Sequence, residues 1–192
     1  MTRTAIIALG SNLGERMRHL REAVAAVDSI PGVHVRAASR IYETPALTLE
    51  GVKEDAPRYL NAAIQVALDE TVTSRELLNE LRAIEDEAGR QRTIRWGDRT
   101  LDLDIIVVAG ETRHDRELVI PHPRAHERAF VLAPWLDLEP EAVLADHGPI
   151  AELREQAGDR VDAVAEPSSI WPAEPATADS AAGTHETGAL RA

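Results

Sequence analysis

The stretch Arg95–Val108, RWGDRTLDLDIIVV, decides how the rest of the chain is read. Leu101 and Leu103 alternate with Asp102 and Asp104, and Ile105, Ile106, Val107 and Val108 follow without a break. Alternation that runs into a short β-branched apolar segment is the pattern of a strand entering a core. Side chains of a strand alternate between faces, so Asp102 and Asp104 point the same way, roughly 6.6 Å apart along the backbone. Two carboxylates that close repel, and one is driven toward its protonated form unless a cation joins them. A hard divalent ion such as Mg²⁺, held by one or two carboxylates and completed by phosphate oxygens and water, removes that penalty. The alternative is the polar face of an ordinary edge strand, with the aspartates paired to nearby arginines.

Those arginines are close by. Arg90, Arg92, Arg95 and Arg99 stand against the single acid Asp98, a local excess of positive charge in a chain whose formal net charge is −12. The only lysine is Lys53, so arginine supplies nearly all the positive charge, and its planar fork suits phosphate oxygens better than an ammonium does. An acidic chain is a poor partner for a nucleic-acid backbone, which needs clustered basic surface. A small polyphosphate fits the local excess. The arginines lie between a helix stop at Gly89 and the strand, where a loop can close over phosphates. Metal and arginines together are the equipment of phosphoryl or pyrophosphoryl transfer, in which positioning and charge stabilisation do most of the catalysis. Taken alone, four arginines in a loop also serve to balance an acidic surface.

Upstream of this stretch, Thr4–Leu9 (TAIIAL) is a short apolar run read as a buried strand, and Gly10-Ser11-Asn12 as the turn after it. Met17, Leu20, Val24 and Val27 recur at helical spacing between Gly14 and Ser29, and Pro31-Gly32 closes that helix. Val33–Glu43 and Tyr59–Leu68 read as strands, separated by a Pro- and Gly-punctuated loop, TPALTLEGVKEDAP. TSRE at Thr73–Glu76 has the form of a capping box, and Leu77, Leu81, Ile84 and Ala88 make one face of a second helix that ends at Gly89. Helices are expected over Arg124–Leu132 and Ala151–Gln156. The order β-α-β-β-α-β is the split βαβ pattern of a ferredoxin-like α+β fold, an antiparallel sheet with helices on one face.

At 192 residues the chain suits one domain with a substantial core. That domain is expected over residues 1–165. Residues 166–192, EPSSIWPAEPATADSAAGTHETGALRA, are rich in Ala, Pro, Ser and Thr with little to bury, the composition of a disordered tail in which Trp171 has no evident duty. There is no cysteine, which excludes disulfides, thiolate metal sites and a cysteine nucleophile and requires no oxidising compartment. No segment approaches the roughly 18 apolar residues of a membrane span, and the N-terminal apolar run is too short for a signal peptide. A soluble, cytoplasmic protein is expected. Competing motifs are missing: there is no G-x-x-x-x-G-K-[ST] and no G-x-S-x-G, and in HPRAH, His122 and His126 enclose Pro123 where a metalloprotease has glutamate.

The motifs ALGSNLGER (Ala8–Arg16), YETPAL (Tyr42–Leu47), YLNAA (Tyr59–Ala63), IEDEAGRQR (Ile84–Arg92), RWGDRTLDLDI (Arg95–Ile105) and IPHPRAHERAFVL (Ile120–Leu132) resemble, in order, those of the 6-hydroxymethyl-7,8-dihydropterin pyrophosphokinases of folate biosynthesis. The resemblance implies transfer of the β,γ-pyrophosphoryl unit of ATP to the hydroxymethyl group of the reduced pterin, with release of AMP. It makes Asp102 and Asp104 the ligands of two Mg²⁺ ions that bridge the ATP phosphates, and places Arg90, Arg92 and Arg99 beside them in catalysis. Glu85, Arg92, Arg95, Trp96, Arg99, His122 and Arg128 are implied nucleotide contacts, with the adenine read by backbone near Ile105 and Val119. The pterin is implied to stack between Tyr59 and Phe130, the chain's only phenylalanine, and to meet Asn61, Trp96 and the backbone of Thr44, Ala46 and Leu47. Two aromatic faces suit a flat heteroaromatic substrate, although both rings are equally at home in a core. Asp98 stands where the family commonly has proline, and Ala46 where it often has a second proline. The expected partners are ATP and 6-hydroxymethyl-7,8-dihydropterin, with no nucleic acid and no membrane, and the expected state is a monomer. Two rivals remain at this level: a nucleotide- or metal-sensing module without chemistry, and a Mg²⁺-dependent phosphohydrolase in which water is the acceptor.

Overall fold

The computed structural model describes residues 2–48, 51–53, 57–89, 100–158, 161–166 and 170–171, and at 46–48 and 51–53 the backbone alone. Strand β1 (Arg3–Ser11) buries Ala5, Ile6, Ile7 and Leu9. It lacks alternation because elements cover both of its faces, as in any strand enclosed within a layered fold. It also runs past Leu9. Gly10 and Ser11, expected in a turn, are paired with Asn61 and Leu60 on one side, and Gly10 with Asp102 on the other. Ser11 stays in the strand because its buried hydroxyl has a partner, donating to the Thr100 carbonyl at 2.6 Å.

Helix α1 (Arg16–Asp28) packs Leu20, Ala23, Val24 and Val27 inward. It is followed by Gly32 at φ 77°, where an added Cβ would lie 2.8 Å from Val72 Cγ2. A larger residue there is opposed by both space and backbone. The single strand expected over Val33–Glu43 is two, β2 (Val33–Ala38) and β3 (Ile41–Thr44). The break is at Ser39, whose hydroxyl accepts the Ala63 N–H at 2.8 Å and donates to the Arg40 carbonyl at 2.7 Å. A side chain thus substitutes for a ladder bond while the chain bends.

The segment expected as irregular loop carries a short antiparallel pair, β4 (Ala46–Thr48) with β5 (Gly51–Lys53), in which Leu47, Thr48 and Val52 favour extended backbone. Strand β6 (Tyr59–Leu68) follows, then α2 (Ser74–Glu87), which starts on the expected capping box: Thr73 Oγ1 accepts the Glu76 N–H at 3.2 Å and Glu76 Oε2 accepts the Thr73 N–H at 2.9 Å. Strand β7 (Asp102–Val108) leads to the small pair β8 (Arg113–His114) and β9 (Val119–Ile120). In place of a helix over 124–132, there is a 3₁₀ turn at Ala125–Glu127 and then α3 (Ala129–Leu138). Pro134 lies inside α3. Its missing N–H removes a helical bond, but Val131, Leu132 and Trp135 are buried around it, and that packing carries the helix through. The chain continues with β10 (Val143–Leu144), β11 (Gly148–Pro149), α4 (Ile150–Gln156) and β12 (Asp162–Ala165).

The main sheet has the order β12-β3-β6-β1-β7, with β2 continuing beside β6 beyond β3, and every pairing is antiparallel. This is the ferredoxin-like arrangement, extended at one edge by β12. Helices α1 and α2 cover the first face, burying Leu20, Val24, Leu77 and Leu81 against Ile7, Leu9, Ile64 and Leu103. Helices on that face were expected; α3 and α4 add a layer on the second, where Leu132, Trp135 and Ile150 meet Ile6, Ala63 and Ile106. Packed chain also continues beyond β12: Ile170 is buried in the first cluster and Trp171 packs against it.

Ser39 supplies a stability test. Ser39→Ala leaves the buried Ala63 N–H without its acceptor, and urea unfolding should register a loss of about 1–3 kcal/mol. An unchanged midpoint would mean that the backbone closes the gap by itself.

Candidate active site

Among the described residues, the helical cover of the sheet's second face is centred on Ile6, Ala63 and Ile106. In antiparallel strands directly opposed residues share a face, so two rows can be read across β6, β1 and β7. Asn61, Gly10 and Asp102 form one; Ala63, Ala8 and Asp104 form the other. Toward the far end of β1 this face is filled by Ile6 and Ile106 under α3. At the near end the middle strand offers only glycine and alanine. A Cβ added to Gly10 would lie 3.5 Å from Asn61 Oδ1, 3.9 Å from Asp102 Cβ and 3.9 Å from Tyr59 Cδ1. Gly10 is thus the floor of a shallow site with an amide and an aromatic ring on one side and a carboxylate on the other.

On the β6 side, Thr44 pairs with Tyr59 and Tyr42 with Asn61. Asn61 Nδ2 donates to Thr44 Oγ1 at 2.9 Å, and both side chains are buried. This bond fixes the amide, leaving its carbonyl oxygen toward Gly10. Tyr59, two residues before Asn61, shares its strand face. Ala46 and Leu47 place their backbone on β4.

On the β7 side, Asp102 and Asp104 are half-buried while Leu101, Leu103 and Ile105 between and beside them are buried in the first core cluster. The alternation read from the sequence is therefore the observed one. The Ile105 side chain, being in the core, leaves only backbone for a ligand. Between the two aspartates the strand is held from its outer edge: Glu85 is 2% exposed and its Oε1 accepts the Leu103 N–H at 2.8 Å. Glu85, expected beside the nucleotide, thus also acts on the strand that carries both carboxylates.

A third wall descends from the segment before α3. Ile120–Pro121 is a cis peptide, and the His122 N–H donates to the Ile106 carbonyl at 2.8 Å, fastening His122 to β7. Its Nδ1 accepts the Arg124 N–H at 3.2 Å, which selects the neutral tautomer protonated at Nε2. Burial, aided by Arg128 and Arg124 and opposed by Asp102, pushes the imidazole down to about 4. Arg128 is itself lowered by burial, then raised by Asp104, lowered by Arg124 and raised by Asp102. One guanidinium therefore feels both aspartates. Its Cζ lies 5.6 Å from the centroid of the Phe130 ring, so the start of α3 and the residue capping it bring an aromatic face and a cation together. The far end of α3 is anchored by Asp137, which accepts from Tyr42 Oη at 2.9 Å and Arg40 Nη2 at 2.6 Å, and by Glu139, which accepts from Gln65 at 2.7 Å and Trp135 at 2.9 Å. Burial first, then the bond to Asp137, pushes the Tyr42 phenol up to about 12.

Arg90, Arg92, Arg95, Trp96 and Arg99 lie outside the described residues. Of the rest, Thr44, Tyr59, Asn61, Asp102, Asp104, His122, Arg128 and Phe130 are brought around one shallow floor. Gly10 was not among the expected site residues; the signal was a glycine at the end of a buried strand, which marks close approach. The two histidines of HPRAH do not form a chelate: His126 stacks on His147 at 3.8 Å between centroids, 12° from parallel.

The donors on β7 are hard oxygens on one strand face, with only the small residues Ala8 and Gly10 of β1 opposite them. Among the described residues no third acidic or histidine group completes a cage. This fits a divalent ion that takes its remaining ligands from phosphate and water.

Residues 6–140 match the sequence profile of the family described as 7,8-dihydro-6-hydroxymethylpterin-pyrophosphokinase. The 2-amino-4-hydroxy-6-hydroxymethyldihydropteridine pyrophosphokinase of Bacillus subtilis is 41% identical over 150 residues, covering 76% of this chain and 86% of its own. The Haemophilus influenzae enzyme of the same name is 37% identical over 156 residues, 81% of this chain and 94% of its own. Among solved structures, Plasmodium falciparum HPPK-DHPS with pterin and p-hydroxybenzoate superposes with a TM-score of 0.60 at 14% identity, over 81% of this chain. That likeness is one of fold, and the match spans 43% of the longer Plasmodium chain. With its profile matched across both walls of the site and relatives of this identity over most of their length, the chain belongs to the 7,8-dihydro-6-hydroxymethylpterin-pyrophosphokinase family.

Proposed function

We propose that the sheet face bearing Asn61, Gly10 and Asp102 is where this chain carries out its family's reaction, with the acceptor on β6 and the phosphates on β7. The chain is an enzyme that transfers pyrophosphate from ATP to 6-hydroxymethyl-7,8-dihydropterin in folate synthesis. The sensing-module and phosphohydrolase readings give way to it. The observation that carries the assignment of sides is the row Asn61–Gly10–Asp102, which sets a buried amide and a carboxylate across a bare glycine.

In this reading Asp102 and Asp104 hold two Mg²⁺ ions, which when bound neutralise charge developing on the transferred phosphates. Tyr59 and Phe130 take the two faces of the pterin, and Asn61, fixed by Thr44, presents polar atoms to its edge, beside the backbone of Ala46 and Leu47. The pterin hydroxymethyl oxygen bonds to the β-phosphorus as the bond from that phosphorus to the α,β-bridging oxygen breaks; AMP departs with that oxygen and the hydroxyl proton passes to water. Arg128 adds a cation that is already close to both aspartates, and neutral His122 offers its Nε2–H to nucleotide oxygens. Arg90, Arg92, Arg95, Trp96 and Arg99 contribute further phosphate and pterin contacts, the adenine is met by backbone near Ile105 and Val119, and Glu85 keeps β7 in place. The protein acts as a cytoplasmic monomer.

Three measurements test this. With ATP, Mg²⁺ and 6-hydroxymethyl-7,8-dihydropterin, AMP should form only when the pterin is present, and Asp102→Asn or Asp104→Asn should each reduce the rate roughly 100-fold or more, several kcal/mol of charge stabilisation. ADP as product, or AMP without pterin, would refute the assignment. Gly10→Ala meets only ordinary contacts in the protein, so its thermal midpoint should stay close to wild type while the methyl group on the site floor lowers kcat/KM for both substrates by tenfold or more; full activity would show the floor to be unused. The His122 imidazole has its ordinary value near 6.5 in the unfolded chain and about 4 in the fold. The unfolded state then binds the extra proton, so this stabilisation is complete above about pH 6.5 and is lost as pH falls toward 4. Urea unfolding at pH 7 and pH 5 should lose less stability on acidification for His122→Gln than for wild type, and equal losses would place the imidazole in water.

A further inference from the structure

The chain leaves the sheet after Thr44 and returns at Tyr59, and these two residues face each other across the strand pair. Behind them, on the α1 face, three charges meet. Glu43 is opposite Leu60, which belongs to the core under α1. Its Oε1 accepts from Arg16 Nη1 at 3.0 Å and its Oε2 from Arg58 Nε at 3.1 Å. Arg16, the first residue of α1, also donates to the Arg58 carbonyl at 2.6 Å. On its other side Glu43 pairs directly with Asp162 of β12, a like-charge juxtaposition that is unfavourable by itself. Arg58 answers it, lying 3.1 Å from Glu43 and 4.0 Å from Asp162. These side chains do not sit in a packed interface: Arg16, Glu43 and Arg58 border a cavity of about 480 Å³ together with Asn12 and Pro57. Charge and side-chain hydrogen bonding therefore add to the β3–β6 ladder at the strand ends that carry Thr44 and Tyr59.

We propose that Arg16 and Glu43 are positioning residues for the pterin: they touch no substrate atom, but by clamping β3 to β6 and to α1 they fix the Thr44–Asn61 bond and the Tyr59 ring that receive it. The inference rests on the assignment of Thr44, Tyr59 and Asn61 to the pterin pocket. Its signature is selective. The clamp lies behind β3 and β6, whereas the carboxylates assigned to the phosphates are on β7, two strands away from β3's partner edge. Loss of the clamp should loosen pterin binding and leave the nucleotide side as it was.

Steady-state kinetics on Glu43→Gln, Arg16→Gln and the double variant, with Asn61→Ala alongside, decide the matter. Each clamp variant should raise the KM for pterin roughly tenfold, about 1.4 kcal/mol, with the KM for ATP and kcat at saturating pterin within about twofold of wild type. The double variant should resemble either single one, because both remove the same clamp. If Asn61→Ala raises the pterin KM and the clamp variants do not, or if they lower only the thermal midpoint or shift both KM values equally, the positioning role is wrong and the pocket assignment stands. If Asn61→Ala leaves the pterin KM unchanged, the pocket assignment fails and the inference with it. The two single variants remove different partners of one clamp, so failure of one to fold still leaves the other to report.

Discussion

The structure turns on what β1 lacks. A strand enclosed on both faces is normally filled with large apolar side chains, and β1 obeys this at Ile6, Ile7 and Leu9. At Ala8 and Gly10 it presents almost nothing to the second face. Filling that half would bring apolar surface over Asn61 on one side and Asp102 on the other, and both need polar partners or solvent. Keeping the middle strand small there forfeits some burial in the two rows that join β6 to β7, Asn61–Gly10–Asp102 and Ala63–Ala8–Asp104. Helix α3 sits over Ile6, Ala63 and Ile106 and is pinned at its far end by Asp137 and Glu139, so its first turn, with Phe130 just inside, overhangs the gap instead of closing it.

Electrostatically the described site sets two aspartates against the Arg128 guanidinium. Two aspartates on one strand face would repel at close range, yet Arg128 is near enough to be influenced by both. At the proposed site it would offset their repulsion and, with nucleotide bound, add positive charge near the phosphates. His122 contributes in the opposite way. Burial and two neighbouring arginines keep its ring neutral, so it adds a hydrogen-bond donor without adding charge to a site that already has guanidinium. Glu85 makes the pair rigid from behind, since its bond to the Leu103 N–H fixes the residue between them.

Much of this was legible in the sequence, for physical reasons that differ from place to place. The alternation of Leu101 to Asp104 is a period-two signal, and the strand faces it predicts are those observed. The capping box of α2 is a local device that needs no tertiary information, and it appears as read. The errors fall where distant contacts decide. Gly10-Ser11 carries turn chemistry, but the partner for the Ser11 hydroxyl is Thr100, 89 residues away. Ser39 breaks a continuous β pattern through Ala63. Pro134 argues against a helix that the second core nevertheless sustains. Glu85 enters the sequence reading only through the family resemblance, and its bond to the Leu103 N–H, 18 residues away, could not be seen from spacing.

Strand spacing supports the proposed meeting of acceptor and phosphate on this face. β6 and β7 flank β1, so their facing side chains stand two strand separations apart, roughly 9.5 Å. In the proposed reading that separation would accommodate a metal-held phosphoryl group and the acceptor's hydroxymethyl arm. If one more strand lay between them the reactants would fall short, and if the two strands were adjacent there would be no room for a metal-bound phosphate. The ferredoxin-like order, which places β1 between β6 and β7, would thus set the reach of the proposed reaction before any side chain refines it. The bare floor at Gly10 then makes that distance usable.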